Sequence, residues 1–478
     1  MRHRLVPALL VLLPLLSSPV HGREGKPNVV FILADDLGRA EVGAYGQEKI
    51  RTPSIDKMAA EGMRFTRFYA GSPVCAPSRC TLLTGKHTGH AYIRDNREIK
   101  PEGQTPIPAA EVTLAEMFKA RGYDTAAIGK WGLGFPGSEG DPLNQGFDHF
   151  FGYNCQRHAH DHYPTYLWND RARIDLPGNT GGATGERHSH DLFEQDALRW
   201  VRDHHERPFF LFLPFTIPHL ALQVPADSLA EYEGKLEDDA PYVGGKGYQP
   251  HPKPHAAYAA MVTRMDRTIG RLMDLLRELN LDDDTIVIFT SDNGPTHDVG
   301  GADSPFFGSA GGLRGLKGSV YEGGIAVPFI VRWPGRIAAG STSDFLGYFP
   351  DFAPTLMDLI DGRDALPAGL DGISFANSLL GRPADQKTHE FLYWEFPSYG
   401  GQQAARMGPW KGLRQEMRKG RLEIELFNLD DDPAETRDVA ADHPEIVARV
   451  SEVMKRQHTR SDLFPLPGID PKAKAKAK

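Results

Sequence analysis

Four runs in the first two thirds of the chain are apolar without alternation, at residues 28–34, 125–128, 209–215 and 286–290. A strand with one wet face alternates apolar and polar side chains, whereas a strand covered on both faces does not. These runs therefore predict a buried, mostly parallel sheet with helices on both sides. The clearest helical period lies between them, over 255–279. There Met261, Met265, Ile269, Leu272 and Leu276 recur at spacings of four and three, so the methionines read as core. Asn280 suits the end of that helix. The pattern changes near residue 365. Short strand-like runs at 391–396, 403–407, 410–413 and 422–429 are followed by a helical stretch at 444–457. The fold expected is α/β over residues 23–365, with a smaller antiparallel-sheet plus helix unit of α+β type over 366–468.

With 478 residues the chain can bury a large core. Its net charge of −9 excludes the basic face of a nucleic-acid binder. Met1-Arg2-His3-Arg4 precedes an apolar run at 5–16 and a small-residue stretch ending at Gly22. That run is too short for a membrane span and reads as a secretory signal peptide over 1–22. The expectation is a secreted or periplasmic protein without membrane insertion after cleavage. Three cysteines, Cys75, Cys80 and Cys155, are too few for a disulfide framework. Whether Cys80 and Cys155 pair stays open. The Lys/Ala tail at 469–478 reads as a solvated end.

Cys75-Ala76-Pro77-Ser78-Arg79-Cys80-Thr81-Leu82-Leu83-Thr84-Gly85 reads locally as a loop entering a short helix. Pro77 suits a first turn, Ser78 can accept from a free N–H there, and Gly85 supplies the stop. Cys75 then stands at a helix N-terminus, which attracts anions and lowers a thiol pKa. Asp35-Asp36 and Asp292-Asn293-Gly294 follow two of the apolar strands. Ligands of open α/β sheets sit beyond the carboxyl ends of strands. Carboxylate and amide oxygens suit a hard cation such as Ca²⁺ or Mg²⁺, and no tight His/Cys set favours zinc or copper. Singly, each Asp cluster is also an ordinary turn. Three cationic candidates complete the pattern: Lys130 in Gly129-Lys130-Trp131, His219 in Pro218-His219, and Lys317 in the glycine-rich block 313–324.

Together these motifs resemble the type I sulfatases, whose fold is alkaline phosphatase-like, and within them the bacterial carbohydrate sulfatases. The Cys75 run resembles their Cys-x-Pro-Ser-Arg-x-x-Leu-x-Thr-Gly signature, and Lys317-Gly318-Ser319-Val320-Tyr321-Glu322-Gly323-Gly324 their Lys-Gly-x-x-Tyr-Glu-Gly-Gly block. The resemblance implies that a formylglycine-generating maturation enzyme oxidises Cys75 to formylglycine (3-oxoalanine). Its hydrate would attack sulfur, and its second hydroxyl would then expel sulfate. It implies Ca²⁺ on Asp35, Asp36, Asp292, Asn293 and the modified Cys75. Lys130 and Lys317 would bind sulfate, Arg79 would hold the hydrate, and His219 or Lys317 would protonate the leaving oxygen. The substrate implied is a sulfated carbohydrate, with galactose or N-acetylgalactosamine 4- or 6-sulfate at chain ends as the lean. The nearest rival is a formylglycine-dependent phosphonate monoester or phosphodiester hydrolase. A further rival is a catalytically silent glycan-binding protein.

Two departures stand out. The family often has Gly-Lys-Trp-His-Leu-Gly where this chain has Gly129-Lys130-Trp131-Gly132-Leu133-Gly134, and Arg where Ala326 stands. The reading offered for the missing histidine is that His158 or His160, in the segment 152–164, fills the gap or binds the sugar.

Overall fold

A computed structural model describes residues 25–237 and 240–471. The signal-peptide reading and the last seven residues of the tail lie outside the described residues. The first half of the chain supplies β1 (Asn28–Ala34), β2 (Met63–Phe65), β3 (Phe68–Tyr69), β4 (Asp124–Lys130), β5 (His149–Tyr153), β6 (Tyr166–Asn169), β7 (Ala172–Asp175) and β8 (Phe209–Pro214). The second half supplies β9 (Thr285–Ser291), β10 (Phe329–Arg332), β11 (Ser341–Ser343), β12 (Gly347–Tyr348), β13 (Leu392–Phe396), β14 (Gln402–Met407), β15 (Trp410–Arg414) and β16 (Glu425–Asn428). Ten strands form one sheet in the order β11-β2-β10-β9-β1-β8-β4-β5-β6-β7. The five strands β9-β1-β8-β4-β5 pair in parallel, and antiparallel pairs occur only toward the two edges.

The unbroken apolar character of β1 has a direct structural cause. Val30, Ile32 and Ala34 point into one core, with the helices Ser189–His204 and Pro254–Glu278. Val29, Phe31 and Leu33 point into the other, with Cys75–Thr84, Leu114–Ala120 and Phe352–Leu359. Period-two side chains thus feed two cores, and both must be apolar. The helix Pro254–Glu278 buries Met261 and Met265 as expected. Asn280 adopts φ 54 just beyond its end, the left-handed turn that closes a helix.

The small sheet β13-β14-β15-β16 is antiparallel throughout. One face meets the helix Pro444–Gln457 through Tyr393, Leu426, Val450 and Met454. The other face packs Trp394, Leu413 and Phe427 against Tyr69, Val74, Val320 and Ile325 of the main body. The small sheet therefore backs onto the segment that carries Cys75 and onto the loop that carries Lys317. All three cysteines are free and buried.

Candidate active site

Parallel pairing puts the carboxyl ends of β9, β1, β8, β4 and β5 on one side of the sheet. Asp35 and Asp36 follow β1, Asp292 and Asn293 follow β9, and Lys130 closes β4. His219 lies five residues past β8. Asp36 takes φ 65, a region that non-glycine residues occupy at a cost and that recurs at functional sites. Its N–H donates to Asp292 Oδ1 at 3.1 Å, which fixes the two acidic corners together.

Three cations interleave with three carboxylates. Arg79 donates through Nε and a terminal nitrogen to Asp292 Oδ2, at 3.0 and 2.8 Å. Its other terminal nitrogen donates to the Lys130 carbonyl. Lys130 Nζ lies 2.7 Å from Asp35 Oδ2, and Lys317 Nζ 2.7 Å from Asp36 Oδ2. Arg79 and Lys130 are fully buried. The set is charge-balanced as it stands, so a divalent cation would leave a positive surplus that suits an anionic substrate.

Cys75 Sγ sits 3.3 Å from Asp35 Oδ1 and 3.9 Å from Asp36 Oδ1. The helix-terminus expectation of a lowered thiol pKa fails here. Burial, then the Asp292 and Asp35 charges, push the thiol well above its usual value. Two neighbouring carboxylates and desolvation outweigh one helix dipole, and a thiol kept protonated is a poor nucleophile. The capping reading of Ser78 is also corrected. Its oxygen accepts from Gly71 N–H at 3.2 Å, and Val74, without a capping side chain, precedes the helix. Gly85 ends the helix at φ 67 as expected.

His219 is held neutral. Its Nδ1 lies 2.6 Å from the Leu220 carbonyl, which only accepts, so Nδ1 carries the proton. Its Nε2 faces Lys317 Nζ at 3.1 Å. Burial, then Lys317 and Lys130, hold its pKa well below the usual range. Burial opposes the Lys317 charge, yet Asp36 prevails and raises that pKa well above normal. One proton thus lies between Nζ and Nε2, on the side of the lysine.

The donor set suits a hard cation. Asp35, Asp36, Cys75 and His219 each offer an atom within 4.8 Å of the others. Asn293 Nδ2 donates to Asp36 Oδ1 at 2.8 Å and to the Gly294 carbonyl at 2.9 Å. This orientation leaves Asn293 Oδ1 buried and without a partner among the described residues. A buried acceptor left unpaired in a site that holds three carboxylates is what an oxygen-seeking cation would satisfy.

The histidine segment divides. His160 stacks on His219, with ring centroids 4.6 Å apart, and on Tyr248 at 5.5 Å. His158 turns away, with Nδ1 3.6 Å from Glu102 Oε1 and its ring against Tyr166. Neither fills the gap at Gly132. A methyl group built on Gly132 would lie 2.0 Å from Gln156 Nε2, so Gln156 occupies that space. Tyr248 and Tyr399 also went unread in the sequence. Tyr399 is 60% exposed, and a methyl group on Gly318, beside Lys317, would lie 2.2 Å from its ring.

The sulfatase family profile matches residues 27–362, more than two thirds of the chain. The chain belongs to the sulfatase family. It is a sulfuric ester hydrolase. A second profile, described as N-sulphoglucosamine sulphohydrolase, C-terminal, matches residues 316–461. The chain is 31% identical to an N-acetylgalactosamine-6-sulfatase of Rattus norvegicus, covering 94% of this chain and 89% of the relative. It is 29% identical to an N-acetylgalactosamine-6-O-sulfatase of Bacteroides thetaiotaomicron, covering 91% and 94%. A solved structure from work on the metabolism of multiple glycosaminoglycans by Bacteroides thetaiotaomicron superposes with a TM-score of 0.72 at 27% identity. It covers 90% of this chain and 99% of that one. No helix among the described residues of this sulfatase is long and apolar enough to cross a membrane.

Proposed function

We propose that this sulfatase removes sulfate from a sulfated carbohydrate, with galactose or N-acetylgalactosamine 4- or 6-sulfate at a chain end as the favoured substrate. We propose further that it is exported by its N-terminal signal peptide. The observation that carries the chemistry is the convergence of Cys75, three carboxylates and three cations at the ends of parallel strands. The sugar assignment rests on relatives named N-acetylgalactosamine-6-sulfatase that span nearly the whole chain. The stack Tyr248–His160–His219 supports it, since an aromatic face beside fixed polar groups suits a sugar ring.

Asp35, Asp36, Asp292 and Asn293 would hold calcium. When bound, calcium supplies positive charge to the sulfate oxygens, and formylglycine made from Cys75 by a maturation enzyme supplies a hydrated aldehyde as nucleophile. The chain's own residues do the rest. Lys130 and Lys317 face the charge that spreads over the sulfate oxygens as the S–O bond breaks. Arg79 locks Asp292 and the end of β4 in one orientation, so neither shifts when an anion enters. The proton between Lys317 Nζ and His219 Nε2 is placed for the leaving oxygen, and His219, neutral in the resting site, relays it. Packing of the site side chains excludes bulk water and strengthens each of these interactions.

Mass analysis of the tryptic peptide containing residue 75, from a host with the maturation enzyme, should show formylglycine in place of cysteine. Unmodified cysteine in an active preparation would sink the nucleophile assignment. On matched aryl esters, kcat/KM should favour the sulfate over the phosphodiester, and the reverse order would move the protein to the phosphodiester hydrolases. A panel of defined sulfated sugars tests the substrate. Cleavage confined to glucosamine or fucose sulfates would overturn the galactose-type assignment.

A further inference from the structure

Gly132 is the second residue beyond Lys130 in the loop after β4, with φ +81, a conformation that disfavours any side chain. This loop continues the pairing of β4 with β5. Trp131 N–H donates to the Tyr153 carbonyl at 2.8 Å, and Gly132 N–H to the Asn154 carbonyl at 3.2 Å. The chain then places Gln156 with its amide where a residue-132 side chain would stand. Gln156 is 6% exposed, and neither Nε2 nor Oε1 has a hydrogen-bond partner among the described residues. Asn154, fully buried, likewise leaves both side-chain polar atoms without partners there. A buried amide without partners is costly, and native proteins seldom keep one without a reason. Gly132, against which Gln156 lies, is two residues beyond Lys130, whose ammonium faces Asp35 in the site.

We infer that Gln156 is a substrate-contacting residue: its Nε2–H donates a neutral hydrogen bond to an oxygen of the bound sulfate group, from the space that the side chain of residue 132 would otherwise occupy. The inference rests on the sulfatase reading above. Glycine at 132 and glutamine at 156 form one exchange. The backbone at 132 gives up its side chain and lets a donor from the neighbouring strand end reach the same place. An amide does not titrate, so this donor keeps its proton across the working pH range, as an imidazole would not. Its carbonyl end remains free to accept, from Asn154 or from a hydroxyl of the substrate.

The test uses the calcium-loaded protein and two readouts. Gln156→Met keeps the volume and removes both polar atoms. Binding of inorganic sulfate, measured by calorimetry, should weaken by about 10- to 100-fold, the range expected for a lost hydrogen bond to a charged group. The kcat/KM on an aryl sulfate should fall by at least as much. The rise in Tm on adding calcium should be unchanged, because the metal oxygens lie elsewhere. Gln156→Glu, which brings a negative charge, should bind sulfate more weakly than Gln156→Met. Sulfate affinity equal to wild type in Gln156→Met overturns the inference, even if turnover drops. Wild-type protein without measurable sulfate affinity overturns it too. Wild-type protein that binds sulfate through Gln156 but hydrolyses no sulfate ester would instead sink the hydrolase reading and leave the contact standing.

Discussion

Two buried charge clusters meet at the glycine-rich block and differ in what they gather around their charges. In the site, Asp35, Asp36 and Asp292 face Arg79, Lys130 and Lys317, while Asn293 Oδ1 stays unpaired and Asp36 sits in a costly backbone region. The second cluster lies where the small sheet docks. Lys411 Nζ lies 2.9 Å from both Glu322 and Glu435, Glu322 N–H donates to Glu435 Oε2 at 2.6 Å, and Tyr69 donates to Glu322 at 2.6 Å. Arg406 completes it through the Tyr69 hydroxyl. Both clusters touch the glycine-rich block, which offers Lys317 to one and Glu322 to the other. The docking cluster also holds Glu435 at φ 52 and leaves Glu435 Oε1 without a hydrogen bond, but that oxygen lies 2.9 Å from the Lys411 ammonium, and the cluster joins two parts of the fold. In the site cluster the leftover acceptor is a neutral amide oxygen, Asn293 Oδ1. Burial, charge and backbone strain are therefore common to both clusters; the site differs in gathering a cysteine and an amide oxygen with its charges at the ends of parallel strands.

The widest separation between the clusters should appear on removal of the nucleophile. Cys75→Ala should lower sulfate hydrolysis by about 10⁴-fold or more, as loss of a covalent catalyst does, with the unfolding midpoint within a degree or two of wild type. Activity within 100-fold would deny residue 75 its role. The docking cluster should respond in the opposite sense. Lys411→Met strands two carboxylates in the interior and should cost about 3–5 kcal/mol in denaturant unfolding. A loss under 1 kcal/mol would mean that the cluster does not hold the small sheet in place.

A further buried carboxylate, Glu41, sharpens the contrast because no cation pairs with it among the described residues. Glu41 accepts from Gly38 N–H at 2.6 Å and from Tyr258 at 2.9 Å, yet burial raises its pKa to about 7. Its folded value lies above its unfolded one, so its stabilising contribution is full below about pH 4.5 and is lost as pH rises through 7. The decline should be about 3 kcal/mol over that window. Glu41→Gln, measured by unfolding at several pH values, should flatten it, and an unchanged slope would assign the decline elsewhere. Calcium should act on one cluster alone. At a hundredfold excess over Kd it should stabilise the wild type by about 2.7 kcal/mol. Asn293→Ala should reduce that gain and Lys411→Met should retain it. A full gain in Asn293→Ala would remove Asn293 from the metal site.

The fold was legible because its strands are extreme. Val29 to Ala34 feed two cores, and that leaves no polar position to blur the pattern. The four strands of the small sheet were found to within a residue or so at most ends, except the last, where 422–424 precede β16 (Glu425–Asn428). There Leu422 and Ile424 supply apolar character without ladder bonds. The carboxylates after β1 and β9 and Lys130 at the end of β4 were legible because motif and strand end coincide. The occupant of the space at Gly132 was not. Gln156 lies in the same segment as the histidines, and histidine is the more conspicuous residue for such a role. Which of the three side chains reaches Gly132 depends on the path of the chain after β5, and no local periodicity encodes that path. Tyr248 and Tyr399 escaped for a similar reason, since both come to the site on loops distant in sequence from its motifs.

All ten residues of the helix Cys75–Thr84 are buried in the folded molecule, and Cys75 itself is 1% exposed. A second protein that had to grip this stretch to alter residue 75 could not do so once the helix has docked between the main sheet and the helices Leu114–Ala120 and Phe352–Leu359. The alteration proposed for Cys75 would therefore belong to the interval before folding is complete, and chain folding would compete with it. Since the helix Phe352–Leu359, which packs against the Cys75 helix, comes in the last third of the chain, that interval would stay open until late in synthesis. Under that proposal, slowing the arrival of residues 352–359 should raise the modified fraction, and a chain that folds too soon would seal itself with an inert thiol.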